Sequence, residues 1–207
     1  MIEFRTHDVS SEELERRRAI YEPLTRSVRA LIDATIRTEV DADAVAAAQA
    51  AVDAATARLR GSQMAGPYGV RYNAEGEGTA WGNAVIGLRN PIAPPLTMQH
   101  DDSGRAWANF VLGAAYEGPP GHVHGGVCAL VLDHVLGDVA SGGLTKPSFT
   151  GTISCRYLRA TPLGPLHAEA WVRRTEGVKT FAVGRLADAH GVTVEAEGVF
   201  IVPKWAR

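Results

Sequence analysis

Two cysteines in 207 residues give no disulfide framework; Cys128 and Cys155 are expected as small buried hydrophobes, in keeping with a reducing compartment. An excess of positive charge is also missing. The 21 Lys and Arg residues stand against 23 Asp and Glu, a net charge of −2, so no basic field recommends nucleic acid as a partner. No apolar run approaches the length that spans a bilayer. The opening MIEFRTHDVSSEELERRR lacks the basic-then-apolar order of a secretory signal, and the expectation is a cytoplasmic protein. No G-x-S-x-G elbow occurs, which removes a lipase-type reading of the later HGG triplet. Of the seven histidines only His122 and His124 are close in sequence; His7, His100, His134, His167 and His190 form no second cluster, so no metal site is expected.

What is present is a composition, 45% hydrophobic and 21% charged, able to bury one good core. Ser10 and Glu13 form a capping-box pattern ahead of a helical run through Leu14, Ile20, Leu24, Val28 and Leu31, with Pro23 as a potential kink. A second helix, Asp41 to Arg60, consists of strong helix formers, begins with acids, ends with arginines and stops at Gly61. Its apolar stripe of Val45, Val52 and Leu59 is thin, so it reads as a surface helix. These helices make residues 1–61 an N-terminal extension. Residues 62–94 are a Gly/Pro-rich linker with one short strand expected near Ala84–Leu88. From residue 95 to residue 207 the pattern turns to period two, with strands expected at 96–100, 105–116, 148–158, 166–175, 178–189 and 192–202. Gly-bearing turns at 102–104, 176–177 and 190–191 predict antiparallel hairpins.

Only one helix interrupts these strands, and it follows GPPGHVHGG at residues 118–126. Val127, Leu130, Val131, Leu132, Val135, Leu136 and Val139 leave it almost no polar face, so it is expected to be buried on every side. An antiparallel sheet wrapped around one central helix, with a helical extension, is an α+β hotdog arrangement. The start of that helix carries chemistry. Its unpaired N–H groups and partial positive charge suit a developing oxyanion, Gly125 and Gly126 allow a ligand close approach, and Pro119 and Pro120 stiffen the loop. Asp133 lies mid-helix among apolar neighbours, where a carboxylate is costly unless it has work to do. Asp138, nearer the helix end, is expected to be solvated.

GPPGHVHGG, followed nine residues after His124 by Asp133, resembles the PaaI-like acyl-CoA thioesterases of the hotdog superfamily, in the branch whose loop reads G-P-P-G-x-x-H-G-G. The resemblance covers about Asn90 to Val202 and takes in NPIAPPL and TGTISCRYLRATPLGPL. It implies hydrolysis of an acyl-CoA thioester without metal or other cofactor. The Gly125 N–H would hold the thioester oxygen, Asp133 would act as general base or nucleophile, and a strand hydroxyl would assist: Thr150, with Ser148 and Thr152 as rivals. His124 is expected to fix the loop and Gly126 to line the substrate, while His122 either lines the substrate in place of an Asn that this chain lacks or faces solvent. Arg156 and Arg159 are candidates for the coenzyme A phosphates.

Two departures stand out. The family's Asn six residues before the motif histidine is Gly118 here, and strict alternation puts Thr150 on the strand face opposite Ile153 and Tyr157. Gly125 and Asp133 are eight residues apart, about 12 Å along a helix, so one thioester cannot touch both within one chain. A homodimer, or a dimer of dimers, with shared sites is therefore expected. The competing readings are a non-catalytic acyl-CoA binding or sensing hotdog protein and an assembly protein that works through its N-terminal helices.

Overall fold

The computed structural model describes residues 5–6, 9–73, 75 and 78–207; His7 lies outside the described residues. The short strand β1 (Arg5–Thr6) is followed by α1 (Ser11–Arg37) and α2 (Ala42–Arg60). Ser10 caps α1 by accepting the Glu13 N–H at 3.2 Å. The reciprocal half of the capping box is not made, because the Glu13 carboxylate is taken by Arg16 and Arg17. Asp41 caps α2 through the Ala44 N–H at 2.8 Å. Pro23 lies inside α1, and Gly61 ends α2.

Strands β2 (Arg71–Tyr72) and β3 (Gly78–Thr79) form a small sheet with β1 in the order β1-β2-β3. This segment and α1 meet over Trp81, which is only 5% exposed. Tyr68 stacks on its ring, Tyr21 of α1 approaches it at a tilt, and Arg89 lies 3.7 Å over the Tyr21 ring. The strand expected at 84–88 is absent. Asn83 Oδ1 instead accepts the N–H groups of Val85 and Ile86 at 2.7 and 3.2 Å, and the Gly87 N–H returns to Asn83 O. An Asn side chain has captured the amides that a strand would have used.

The main sheet contains β4 (Gln99–His100), β5 (Ala106–Leu112), β6 (Phe149–Tyr157), β7 (Gly164–Glu176), β8 (Lys179–Asp188) and β9 (Gly191–Ile201). Its order is β4-β5-β7-β8-β9-β6, and every neighbouring pair is antiparallel. The hairpins expected from the Gly-bearing turns join β4 to β5, β7 to β8 and β8 to β9. Bulges in β6, β7 and between β8 and β9 add twist and curl the sheet around α3 (Gly125–Ala140). Where the helix crosses, the strands present Ala106, Ala108, Ala168, Ala170 and Ala182, all buried. These small side chains let Val131, Leu132, Val135 and Leu136 seat deeply, each at 0% exposure and each worth about 1.5–3 kcal/mol of burial. A polar residue at Leu136 would break this layer.

The helix is not covered on every side. Gly126 and Leu130 are exposed, and Val127, Asp133, His134 and Gly137 are half-buried. These positions recur at three- and four-residue spacing and so form one stripe. The six-stranded sheet of a single chain covers one side of the helix; the remaining apolar stripe faces outward. No helix among the described residues is long and apolar enough to cross a membrane.

At the β8–β9 turn, Arg159 donates to both oxygens of Asp188 and to Gly191 O, and the His190 N–H adds a further bond to Asp188. The guanidinium hydrogen bond, helped by that N–H, holds the Asp188 carboxyl down at about 2 against an ordinary 3.8. A carboxylate with a depressed folded pKa adds stability above its unfolded pKa, and that stability is lost as pH falls through the folded value. Thermal unfolding followed from pH 5 to pH 2 should therefore show a loss between about pH 4 and pH 2 that Arg159→Gln largely removes. Identical acid profiles for the two proteins would contradict this.

Candidate active site

The loop 118–126 is built from the turn outward. Pro119, Pro120, Gly121 and His122 form a β-turn closed by the His122 N–H to Pro119 O at 2.9 Å, with Gly121 at φ +73. Proline second and a left-handed glycine third is the requirement of a type II turn. The turn is then pinned on both sides. The Gly121 N–H donates to Glu117 Oε1, the Val123 N–H to Thr161 O, the Leu163 N–H to Gly121 O and the His124 N–H to Tyr116 O. Gly118 is packed against the motif histidine: a Cβ there would stand 2.7 Å from His124 Cα. The Asn of the resembling family therefore has no room at this position unless the loop shifts.

His124 is the N-cap of α3, and its Nδ1 accepts the Gly126 N–H at 3.0 Å. A ring nitrogen that accepts carries no proton, so the imidazole proton in this arrangement is on Nε2. The carbonyl of the same Gly125–Gly126 peptide accepts the Tyr157 hydroxyl at 2.7 Å. One peptide unit is thus held at both ends, and among the described residues no acceptor meets the Gly125 N–H. Burial, followed by the nearby Cys155 and Cys128, pushes the Tyr157 phenol up, which keeps its proton available for this bond. Tyr157 carries no signal in the sequence beyond an odd-numbered place in a strand. His122 does something different from His124: its Nδ1 donates to Pro120 O at 2.8 Å, so the two histidines converge on no common point.

Asp133 projects from the uncovered stripe of α3, half-buried, and Thr150 Oγ1 donates to its Oδ1 at 2.9 Å. Strict alternation had set Thr150 on the wrong face. The bulge at Gly151 changes this, because Thr150 pairs with Phe200 while Thr152 pairs with Val199, so two steps on β6 match one on β9. Thr150 thereby joins Ile153, Cys155 and Tyr157 on the side facing α3. Thr152 lines the opposite face with Arg173, Arg174 and Phe181, and Ser148 Oγ is buried with no hydrogen-bond partner among the described residues. Of the three candidate hydroxyls, Thr150 is the one that the structure brings to Asp133.

Asp138 is not solvated. It is 3% exposed, and its Oδ2 lies 2.5 Å from His100 Nε2 on the edge strand β4. The reason is position: five residues beyond Asp133 the helix has turned roughly 140° past a full turn, away from the uncovered stripe and toward the sheet edge, where His100 can reach it. Arg156 lies across the sheet from α3 and pairs with Glu195, in a row in which Glu169, Arg185, Glu195 and Arg156 are neighbours on successive strands. Both it and Arg159 already hold carboxylates, and the structure brings neither to Asp133. Cys128 is buried and its thiol pushed up by desolvation, as a small core residue should be. Trp171 and Trp205 are exposed, Trp205 edge-on to Phe149, while Trp107 lies beneath the Arg105 guanidinium.

The comparisons with known proteins agree with this architecture. The family model of the thioesterase superfamily matches residues 120–195, the stretch from the loop to the last strand. A crystal structure of a thioesterase superfamily protein is 33% identical, with a TM-score of 0.77, covering 87% of this chain and 90% of that one. A phenylacetic acid degradation-related protein from Ralstonia eutropha JMP134 is 22% identical with a TM-score of 0.46, covering 52% of this chain and 85% of that one. The PaaI protein of the E. coli phenylacetic acid degradation operon is 15% identical with a TM-score of 0.49, covering 53% and 80%. No curated protein sequence matches the chain. With a relative at this identity over nearly the full length of both chains, the protein belongs to the thioesterase superfamily.

Proposed function

We propose that this chain is a cytoplasmic acyl-CoA thioesterase that hydrolyses its substrate to free acid and CoA, with active sites shared between two copies. The observation that carries the reading is Asp133. Its carboxylate stands on the stripe of α3 that its own sheet leaves uncovered, oriented by the Thr150 hydroxyl. Opposite it in a two-fold dimer comes the start of the partner's α3. There the Gly125–Gly126 peptide is clamped by Tyr157 and His124, and the Gly125 N–H is available. Eight residues separate Gly125 from Asp133, about 12 Å on one helix, so antiparallel helices across the two-fold are what bring one chain's amide to the other's carboxylate.

As general base, Asp133 takes a proton from water while the water oxygen attacks the thioester carbonyl. The carbonyl oxygen gains charge against the Gly125 N–H, and the tetrahedral species collapses by expelling the CoA thiolate, which takes up a proton. As nucleophile, the carboxylate attacks directly and water then cleaves the resulting anhydride. Single turnover in ¹⁸O-water tests the nucleophilic route: label in Asp133 requires an anhydride opened by water at the Asp133 carbonyl, whereas label confined to the released acid is given by the general-base route and by opening at the acyl carbonyl. The residues 1–61, 62–94 and 95–207 act in this reading as extension, linker and catalytic hotdog domain.

The second reading, acyl-CoA binding without turnover, is favoured by Gly118, since the family's Asn is missing and its place is filled by close packing on His124. Assaying hydrolysis across a panel of acyl-CoA lengths decides between them; a protein that binds acyl-CoA and turns over none of the panel is the sensing module.

Asp133→Asn should lower kcat by about 10² to 10⁴ while leaving acyl-CoA binding intact. Thr150→Val should lower kcat about tenfold or more with little change in KM, the loss of one hydrogen bond to a charged group. Wild-type rates in both variants would remove the proposed chemistry.

Sharing of the site is tested by mixing. Gly125→Pro removes the amide at a position where proline is tolerated, since a Cβ there meets the Tyr157 ring at an ordinary 3.5 Å. Combined with Asp133→Asn and allowed to exchange subunits, two inactive proteins should recover about a quarter of wild-type activity, because about half of the dimers are mixed and each has one complete site. Verified exchange without recovery would overturn the shared site.

A further inference from the structure

The helix α2 is a long element with no cover. None of its 19 residues is buried. At 19 residues α2 is only a little longer than the roughly 12–15 residues below which even alanine-rich isolated helices are marginal in water, and most helices in proteins draw their stability from packing one face. The face available here is regular. Val45, Val52 and Leu59, all exposed, recur every seven residues, and Ala48 and Ala55 fall three residues after the first two. Apolar residues at the first and fourth places of a heptad form the seam of a two-helix pair. Alanine at every fourth place lets the axes approach closely, with valine and leucine of one helix set over alanine of the other. The mid-helix charge, Asp53, directly follows Val52 and lies off this seam.

The two ends of α2 carry opposite charge. Asp41 caps the helix and Asp43 lies in its first turn, while Arg58 and Arg60 lie in its last. A parallel pair would set arginine beside arginine and align the two helix dipoles. An antiparallel pair sets each acidic start beside a basic end, at both ends at once, and opposes the dipoles. A surface whose first half complements its second half fits a copy of itself about a two-fold axis. We propose that α2 pairs antiparallel with α2 of a second copy of this chain through the Val45, Val52 and Leu59 seam. This interface is separate from the thioester chemistry proposed above and stands whether or not the protein turns over acyl-CoA.

The test places nitroxide labels on the full-length chain in a Cys155→Ser background, where the remaining cysteine, Cys128, is buried. Gln49→Cys lies near the helix midpoint and Ala42→Cys at its start; interchain distances are read by double electron–electron resonance. Antiparallel pairing offsets the two Gln49→Cys labels by only about 6 Å along the axis and the two Ala42→Cys labels by about 27 Å, with the axes roughly 8–10 Å apart. Short distances at the midpoint and long ones at the start are expected, and adding Val52→Asp should abolish both while the buried core, to which α2 contributes no residue, keeps its circular dichroism. Short distances at both positions mean parallel pairing and overturn the proposal. So does the absence of any interchain distance at Gln49→Cys, or distances that Val52→Asp leaves unchanged.

Discussion

An α-helix with almost no polar face has to be covered, and in this protein nearly everything else answers to that demand. The sheet curls because α3 must be wrapped, and its crossing strands are alanine-lined because the helix carries valine and leucine. The bulges in β6, β7 and between β8 and β9 supply the curvature. Yet one sheet covers one side only. The stripe from Gly126 through Leu130 and Asp133 to Gly137 is left for another surface, and the candidate catalytic carboxylate sits in it. The same hydrophobic constraint that organises the core thus places Asp133 where the proposed dimer would enclose it.

Around that constraint the site is assembled from contacts that fix backbone rather than from a cluster of reactive side chains. The type II turn at Pro119–His122 delivers His124 to the helix start, and His124 and Tyr157 grip the two ends of one peptide unit. The candidate functional group is the neighbouring Gly125 N–H, in the His124–Gly125 peptide, which is bounded on one side by this held peptide and on the other by His124, whose own N–H is donated to Tyr116 O. Preorganised donors of this kind need no reorganisation as charge develops on an oxygen. Gly118 fits the same design, since its lack of a side chain is what allows His124 to sit so close.

The N-terminal helices play unlike parts. α1 is tied to the linker through the Trp81 cluster and through Arg29, which donates to Ala93 O beside the Tyr116 hydroxyl. The Tyr116 carbonyl in turn accepts the His124 N–H, so three hydrogen bonds link α1 to the helix cap at the site. Among the described residues α2 has no such attachment, and its Val45, Val52 and Leu59 lie exposed.

Period-two patterning, Gly-bearing turns and one apolar helix were enough to read the six-stranded antiparallel sheet, its hairpins and the helix it wraps, because each is a local consequence of which side chains avoid water. The GPPG loop and the spacing to Asp133 were legible for the same reason: a glycine at positive φ and a helix start leave marks in the letters themselves. The bulge at Gly151, which turns Thr150 toward Asp133, left none, since a strand's parity is decided by the partner strand against which it is counted. Nor did the burial of Asp138: which of two carboxylates on one helix is buried depends on what stands opposite, and His100, 38 residues earlier, stands opposite Asp138. Sequence determined the elements and the chemistry they can carry; tertiary structure alone decided which groups meet, because register and helix rotation are set by contacts between residues distant in the chain.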